Sequence, residues 1–198
     1  GGYSFVKSGA NGRILRYHFN SDDTPGRYIY LRDDDNGDYW SASWQPVGKD
    51  LDLYKSEVRH GTAYTKMKAD YAEITSEATY YVPLGKDYEV WCEKVTNNSD
   101  RERKISVFGF AEFTNDDNYN QDQVNLQYTL CISQTSFRDN LIYQQININA
   151  EKREDGTNGL ERFFGLAGNP VASYNGDKEA FIGLYHSYGN PVAVERGS

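Results

Sequence analysis

The strongest constraint on this chain is its rhythm. Short runs in which apolar or aromatic residues alternate with polar ones recur at roughly 8–12-residue intervals, separated by Gly, Pro, Asn and Asp. No stretch repeats apolar residues at helical spacing for long enough to make an amphipathic helix. Residues 13–19, 27–32, 61–68, 69–82, 88–96, 103–113, 128–134, 141–149 and 163–166 read as strands. Residues 103–113, RKISVFGFAEF, are the most apolar of these and read as buried. Residues 51–58 are the one helical candidate. Turns fall at Asn36-Gly37, at 83–87, at 97–100 and at 136–140. Pro46 ends a strand or marks it as an edge. Strands and turns in this proportion, with few or no helices, predict an all-β antiparallel sandwich, and 198 residues fit a single domain over 1–198.

Side-chain chemistry narrows the partners. Aromatic residues make up 15% of the chain, with 17 Tyr against 9 Phe, so much of the apolar area carries a hydroxyl that needs a partner. The net charge of −8 is spread along the chain and argues against nucleic acid or an anionic membrane surface. A neutral ligand such as a saccharide is compatible with it. No apolar run approaches the ~20 residues of a membrane span, and no charged-then-apolar leader opens the sequence. Cys92 and Cys131 lack metal-site spacing and read as reduced core residues, which places the chain in the cytoplasm. A start on Gly-Gly-Tyr without Met reads as a fragment or a processed product.

The densest run of unusual residues is 28–64, YIYLRDDDNGDYWSASWQPVGKDLDLYKSEVRHGTAY, with two of the three Trp, an Asp-rich hairpin and Arg59-His60-Gly61. Trp40 and Trp44, with Tyr39 and Tyr64, either stack on sugar rings or fill a sheet core. Arg59 and His60 either donate to a ligand or bridge to the acidic hairpin. Residues 33–38 lack the spacing of a calcium loop, with Trp44 where the twelfth-position Glu would stand, and read as a solvated hairpin. None of His18, His60 and His186 sits in a nucleophile motif, and no Gly-rich phosphate cradle leads into a helix. Residues 114–127, TNDDNYNQDQVNLQ, are too polar for an ordinary strand and read as a long loop that is either disordered or functional.

Taken in order, GGYSF at 1–5, RYIYLRDDDNGDYWSASWQPV at 27–47, RHGTAY at 59–64, YVPLGKDYEVW at 81–91, VTNNSD at 95–100, FGFAEF at 108–113 and FIGLYHSYGNPVAVERG at 181–197 resemble the amino-terminal sandwich of the cellobiose and chitobiose phosphorylases, glycoside hydrolase family 94. The last segment is nearest the chitobiose branch. The resemblance implies a supersandwich-like domain of a cytosolic homodimer that cleaves a β-linked disaccharide with inorganic phosphate, inverting the anomeric centre. It implies no cofactor and no metal. Catalysis in the family belongs to an (α/α)6 barrel that follows the sandwich, so no catalytic residue is carried over to this chain. The resemblance does imply that Tyr3, Ser4 and Phe5, with Gln123 and Asn125 of the polar loop, face the acceptor sugar. The cellobiose branch resembles Asn-Tyr-Gln-Arg-Asn where this chain has Gln123-Val124-Asn125-Leu126-Gln127. The missing guanidinium weighs against cellobiose and leaves chitobiose, laminaribiose and an aldonic-acid disaccharide open. A stand-alone carbohydrate-binding module using Trp40, Trp44, Arg59 and His60 is the alternative reading.

Overall fold

A computed structural model describes residues 14–16, 26–114, 133–146 and 160–198. Among these there are ten strands and two helices of five residues each: β1 Arg27–Asp33, β2 Tyr39–Ser41, β3 Lys55–His60, β4 Tyr64–Tyr71, β5 Ile74–Tyr81, β6 Val90–Asn97, β7 Ile105–Ala111, β8 Ser133–Arg138, β9 Leu141–Ile146, β10 Leu160–Gly165, α1 Lys178–Ile182 and α2 Val192–Arg196. The expected all-β class is what the chain adopts. By contact the described residues fall into two compact units, one holding residues 28–110 and 182–198, the other 14–16, 26–27, 111–114, 133–146 and 160–181.

The first unit is built from two sheets. One has the order β2-β1-β7 and the other is a meander in the order β3-β4-β5-β6. Their inward residues share one core, with Ile29 and Leu31 of β1, Trp40 and Ala42, Tyr54, Ala69 of β4, and Ile74, Ala78 and Tyr80 of β5. Alternation explains the meander: Ile74, Ser76, Ala78 and Tyr80 are buried, while Glu77, Thr79 and Tyr81 face outward. A second aromatic cluster forms where Tyr188, 2% exposed, sits between Tyr28 at 5.9 Å and Phe110 at 5.6 Å. Its carbonyl accepts the Tyr30 hydroxyl at 2.8 Å. The second unit contains the antiparallel sheet β10-β9-β8. There the buried Arg162 donates to the Thr114 carbonyl, and Arg16 pairs with Glu112 at 2.9 Å.

Several local expectations change. Residues 51–53 form a turn around the Asp50 carbonyl, and the rest of the helical candidate is the edge strand β3, because Lys55-Ser56-Glu57-Val58-Arg59-His60 finds a full ladder on β4. The strand boundary expected at 69 falls at Ala72-Glu73, a two-residue turn whose φ angles are 50° and 62°. Non-glycine residues with positive φ carry no compositional turn signal, which is why the sequence hides this hairpin. The turn expected at 136–140 contracts to Asp139-Asn140, with φ of 53° and 66°. β7, expected to be buried, is the outer strand of its sheet, and Val107 is 49% exposed. Cys92, expected in the core, points outward and is exposed, and Cys131 lies outside the described residues.

Candidate functional site

The Asp-rich hairpin between β1 and β2 is a network of ion pairs. Asn36 and Gly37 close it: Gly37 has φ 78° and donates to the Asp33 carbonyl at 2.8 Å, while Asn36 Oδ1 accepts the Asp38 amide at 2.8 Å. Asp33 is buried and meets the buried Arg103 guanidinium at 2.5 Å. Asp34 takes Arg32 at 2.5 Å and the Ser106 hydroxyl at 2.7 Å. Burial opposes ionisation of Asp34, but those two donors outweigh it and hold the carboxyl below its ordinary range. Asp35 faces Arg101 at 3.9 Å. Asp38 binds Lys49 at 2.5 Å and accepts the Tyr71 hydroxyl at 2.9 Å. Each carboxylate of the hairpin is therefore turned toward a cation of this chain, an arrangement that serves folding rather than metal capture.

The Trp pair lies inward of this hairpin. Trp40 is 0% exposed, with its ring 5.2 Å from that of Tyr71. Trp44 is partly buried against the core; its indole donates to the Lys49 carbonyl at 2.7 Å and its amide to the Tyr54 hydroxyl at 2.8 Å. Tyr54 in turn donates to the Ser41 carbonyl at 2.8 Å, and burial pushes its phenol up to about 12. Tyr39, also near 12 through burial and the neighbouring Glu195, donates to that carboxylate at 3.2 Å. Thus the aromatic residues around the hairpin are engaged with this chain's own core and carbonyls.

Arg59 and His60 come to the surface on β3. Arg59 pairs with Glu57 of its own strand, and His60 Nδ1 lies 3.0 Å from the Thr65 hydroxyl on the opposite face of the sheet. On the outer face, Glu57, Arg59, Lys66, Lys68 and Glu77 line an open groove of about 270 Å³. Lys66 binds Glu77 at 2.6 Å, and this hydrogen bond is the main reason the Glu77 carboxyl sits below its usual range. The structure thus separates the two secondary candidates, with Trp40 and Trp44 inside and Arg59 and His60 on an edge strand. Tyr3, Ser4, Phe5, Gln123 and Asn125 lie outside the described residues.

Glu93 is the unusual titratable group, and sequence reasoning passed over it. It projects from β6 toward the core, accepts the Ser76 hydroxyl at 2.6 Å through Oε1, and leaves Oε2 buried without a hydrogen-bond partner. Burial raises its pKa to about 7, against the Ser76 hydrogen bond and with help from nearby Glu77. The signal was present in the alternation, which puts Glu93 on the same face as Trp91 and Val95. Among the described residues, no group of three or more His, Cys, Asp or Glu is placed to hold a metal. Among the same residues, no helix is long and apolar enough to cross a membrane.

Comparison with known proteins supplies what this geometry does not. Residues 1–198 match the glycosyl hydrolase 94 supersandwich domain. The chain is 42% identical over its whole length to an N,N'-diacetylchitobiose phosphorylase of Vibrio proteolyticus and 39% identical to one of Vibrio furnissii, covering 24% of each. A solabiose phosphorylase of Paenibacillus borealis is 31% identical over 87% of the chain and 21% of its own length. The chain therefore spans about a quarter of the length of these relatives.

Proposed function

The chain belongs to the glycosyl hydrolase 94 supersandwich-domain family, and from that membership we propose that it is the amino-terminal β-sandwich of an inverting disaccharide phosphorylase. The observation that carries this reading is the unbroken match to two N,N'-diacetylchitobiose phosphorylases at 42% and 39% identity. In this reading the substrate is N,N'-diacetylchitobiose or a closely similar β-linked disaccharide. Inorganic phosphate is the co-substrate and the products are an α-sugar 1-phosphate and the acceptor sugar. Chemistry belongs to a catalytic barrel of the same polypeptide, in a cytoplasmic homodimer. The sandwich supports that barrel, and Tyr3, Ser4, Phe5, Gln123 and Asn125 contact the acceptor sugar.

The placement of the described side chains supports a scaffolding role. The hairpin carboxylates and the Trp pair are consumed by internal contacts. The carbohydrate-binding-module alternative draws no support from Trp40, whose ring has no exposed face. The test is phosphorolysis by the full-length protein. Release of an α-sugar 1-phosphate from N,N'-diacetylchitobiose, with Tyr3→Ala raising KM for the acceptor in the reverse reaction, is the expected result. Turnover by residues 1–198 alone would overturn it.

A further inference from the structure

The sheet β10-β9-β8 of the second unit has one packed face and one open face. Its register puts three rows on the open face: Arg138, Leu141 and Gly165; Ser136, Tyr143 and Phe163; Gln134, Gln145 and Glu161. On the other face Gln144 and Arg162 are buried, and Phe137 stacks on Tyr174 at 4.1 Å with the ring planes 10° apart. Of the open rows, Gln134, Ser136, Arg138, Gln145 and Glu161 are exposed, Tyr143 and Leu141 are half-buried, and the Phe163 ring is 50% exposed. A guanidinium is fixed across the middle of this face. Arg138 leaves β8, lies over the Tyr143 ring of β9 at 3.6 Å from its centroid and reaches Glu161 of β10 at 2.8 Å. Its Nη1 donates to the Ser136 hydroxyl at 3.3 Å. The ring and the two acceptors hold the planar group in place, and its fork has more donors than these two bonds use. Glu161 balances the charge of Arg138, and Gln134, Gln145 and Ser136 carry none, so the face is polar with no net charge.

We propose that this face binds a neutral β-linked oligosaccharide, with one pyranose ring stacked on Phe163 and the hydroxyls of the neighbouring sugar held by Arg138, Gln145 and Glu161. A pyranose presents an apolar face to an aromatic ring and a rim of hydroxyls to fixed donors and acceptors, and this sheet face sets the two kinds of partner side by side. Three strands and three rows of residues span roughly 10 Å by 13 Å, room for about two sugar rings. A patch of this size falls well short of the ~800 Å² per partner of a stable protein interface. The balanced charge favours a neutral ligand over an anionic one. The saccharide class is argued from the face itself, while the β-linkage and an N-acetylglucosamine unit rest on the phosphorylase reading.

Depletion of the full-length protein from solution onto regenerated chitin, at low and at high salt, tests the proposal. Stacking and hydrogen bonds to a neutral sugar are little screened, so the parent adsorbs equally at both. Phe163→Ala lowers the partition coefficient at least tenfold and Gln145→Ala lowers it a few-fold. Both variants trim exposed side chains, so circular dichroism and Tm stay those of the parent. A parent that remains in solution overturns the proposal. So does adsorption that is indifferent to both variants, which would place the sugar contact elsewhere, or adsorption that is lost at high salt. Phosphorolysis of N,N'-diacetylchitobiose is measured on the same samples. Adsorption that depends on Phe163 in a protein without phosphorolysis supports this face and refutes the phosphorylase reading, whereas phosphorolysis without adsorption overturns the proposal and leaves that reading intact.

Discussion

Glu93 makes the stability of this chain depend on pH in a direction opposite to that of a salt-bridged carboxylate. Burial raises its folded-state pKa to about 7 from the ordinary 4.5. A carboxyl with a raised folded pKa stabilises the fold while protonated, so the contribution is fully present below pH ~4.5 and is lost as pH rises through about 7. The gap of roughly 2.5 units, at about 1.4 kcal/mol per unit, corresponds to a contribution on the order of 3 kcal/mol that disappears by pH 8. Glu93→Gln keeps the size and the hydrogen bond to Ser76 while removing the titration. The variant should therefore have nearly the parent's stability at pH 5 and exceed it by about 2–3 kcal/mol at pH 8. In a domain of this size that is roughly a 4–12 °C difference in Tm. Urea denaturation of both proteins at pH 5, 6, 7 and 8 measures it, and the difference between them cancels every other titrating group. A stability difference that stays constant from pH 5 to pH 8 would refute the reasoning.

Other residues yield sharp expectations. Arg103→Ala leaves Asp33 buried without its cation and should cost about 3–5 kcal/mol in urea denaturation; adding Asp33→Asn should recover a good part of that loss. Trp40→Ala should cost about 3–5 kcal/mol through the cavity it opens beside Tyr71, whereas loss of sugar affinity in full-length protein that remains fully folded would contradict its core placement. Gly183→Ala puts a Cβ within 2.5 Å of the Val192 side chain at φ 92°, so Tm should fall by several degrees; an unchanged Tm would mean that this turn relaxes freely. Glu73→Gly, at φ 62°, should raise stability by about 1 kcal/mol, read from the urea midpoint.

How much was legible depends on the range of the interaction. Alternation is a property of neighbouring residues, and it placed most strands; the same period sets Ile74, Ser76, Ala78 and Tyr80 on one face of β5. It could not find the turn at Ala72-Glu73, because those residues lack a turn composition and take positive φ only where two long strands meet in register around them. It also could not distinguish an apolar strand at a sheet edge from one at its centre, so β7 looked buried although, among the described residues, it is the outer strand of its sheet and Val107 is exposed. Within the candidate site, the Asp hairpin and its Asn-Gly turn were visible, but their partners were not. Arg103 meets Asp33 across 70 positions, and Ser106 meets Asp34 across 72.

By itself, the sequence determined the all-β class, the position of the hairpin and, through ordered resemblance, the phosphorylase family, because period-two patterning and motif order are written along one dimension. Only the tertiary structure decided which aromatic residues are consumed by packing, which carboxylates are neutralised and which strands lie, among the described residues, at the edges of their sheets. Those outcomes depend on burial and on contacts between distant segments. The same Trp is a sugar platform at a surface and a core residue beside Tyr71, and only the fold around it selects between them. Likewise residues 55–60 become an outer strand only because β4 takes one of their sides while, among the described residues, no strand takes the other.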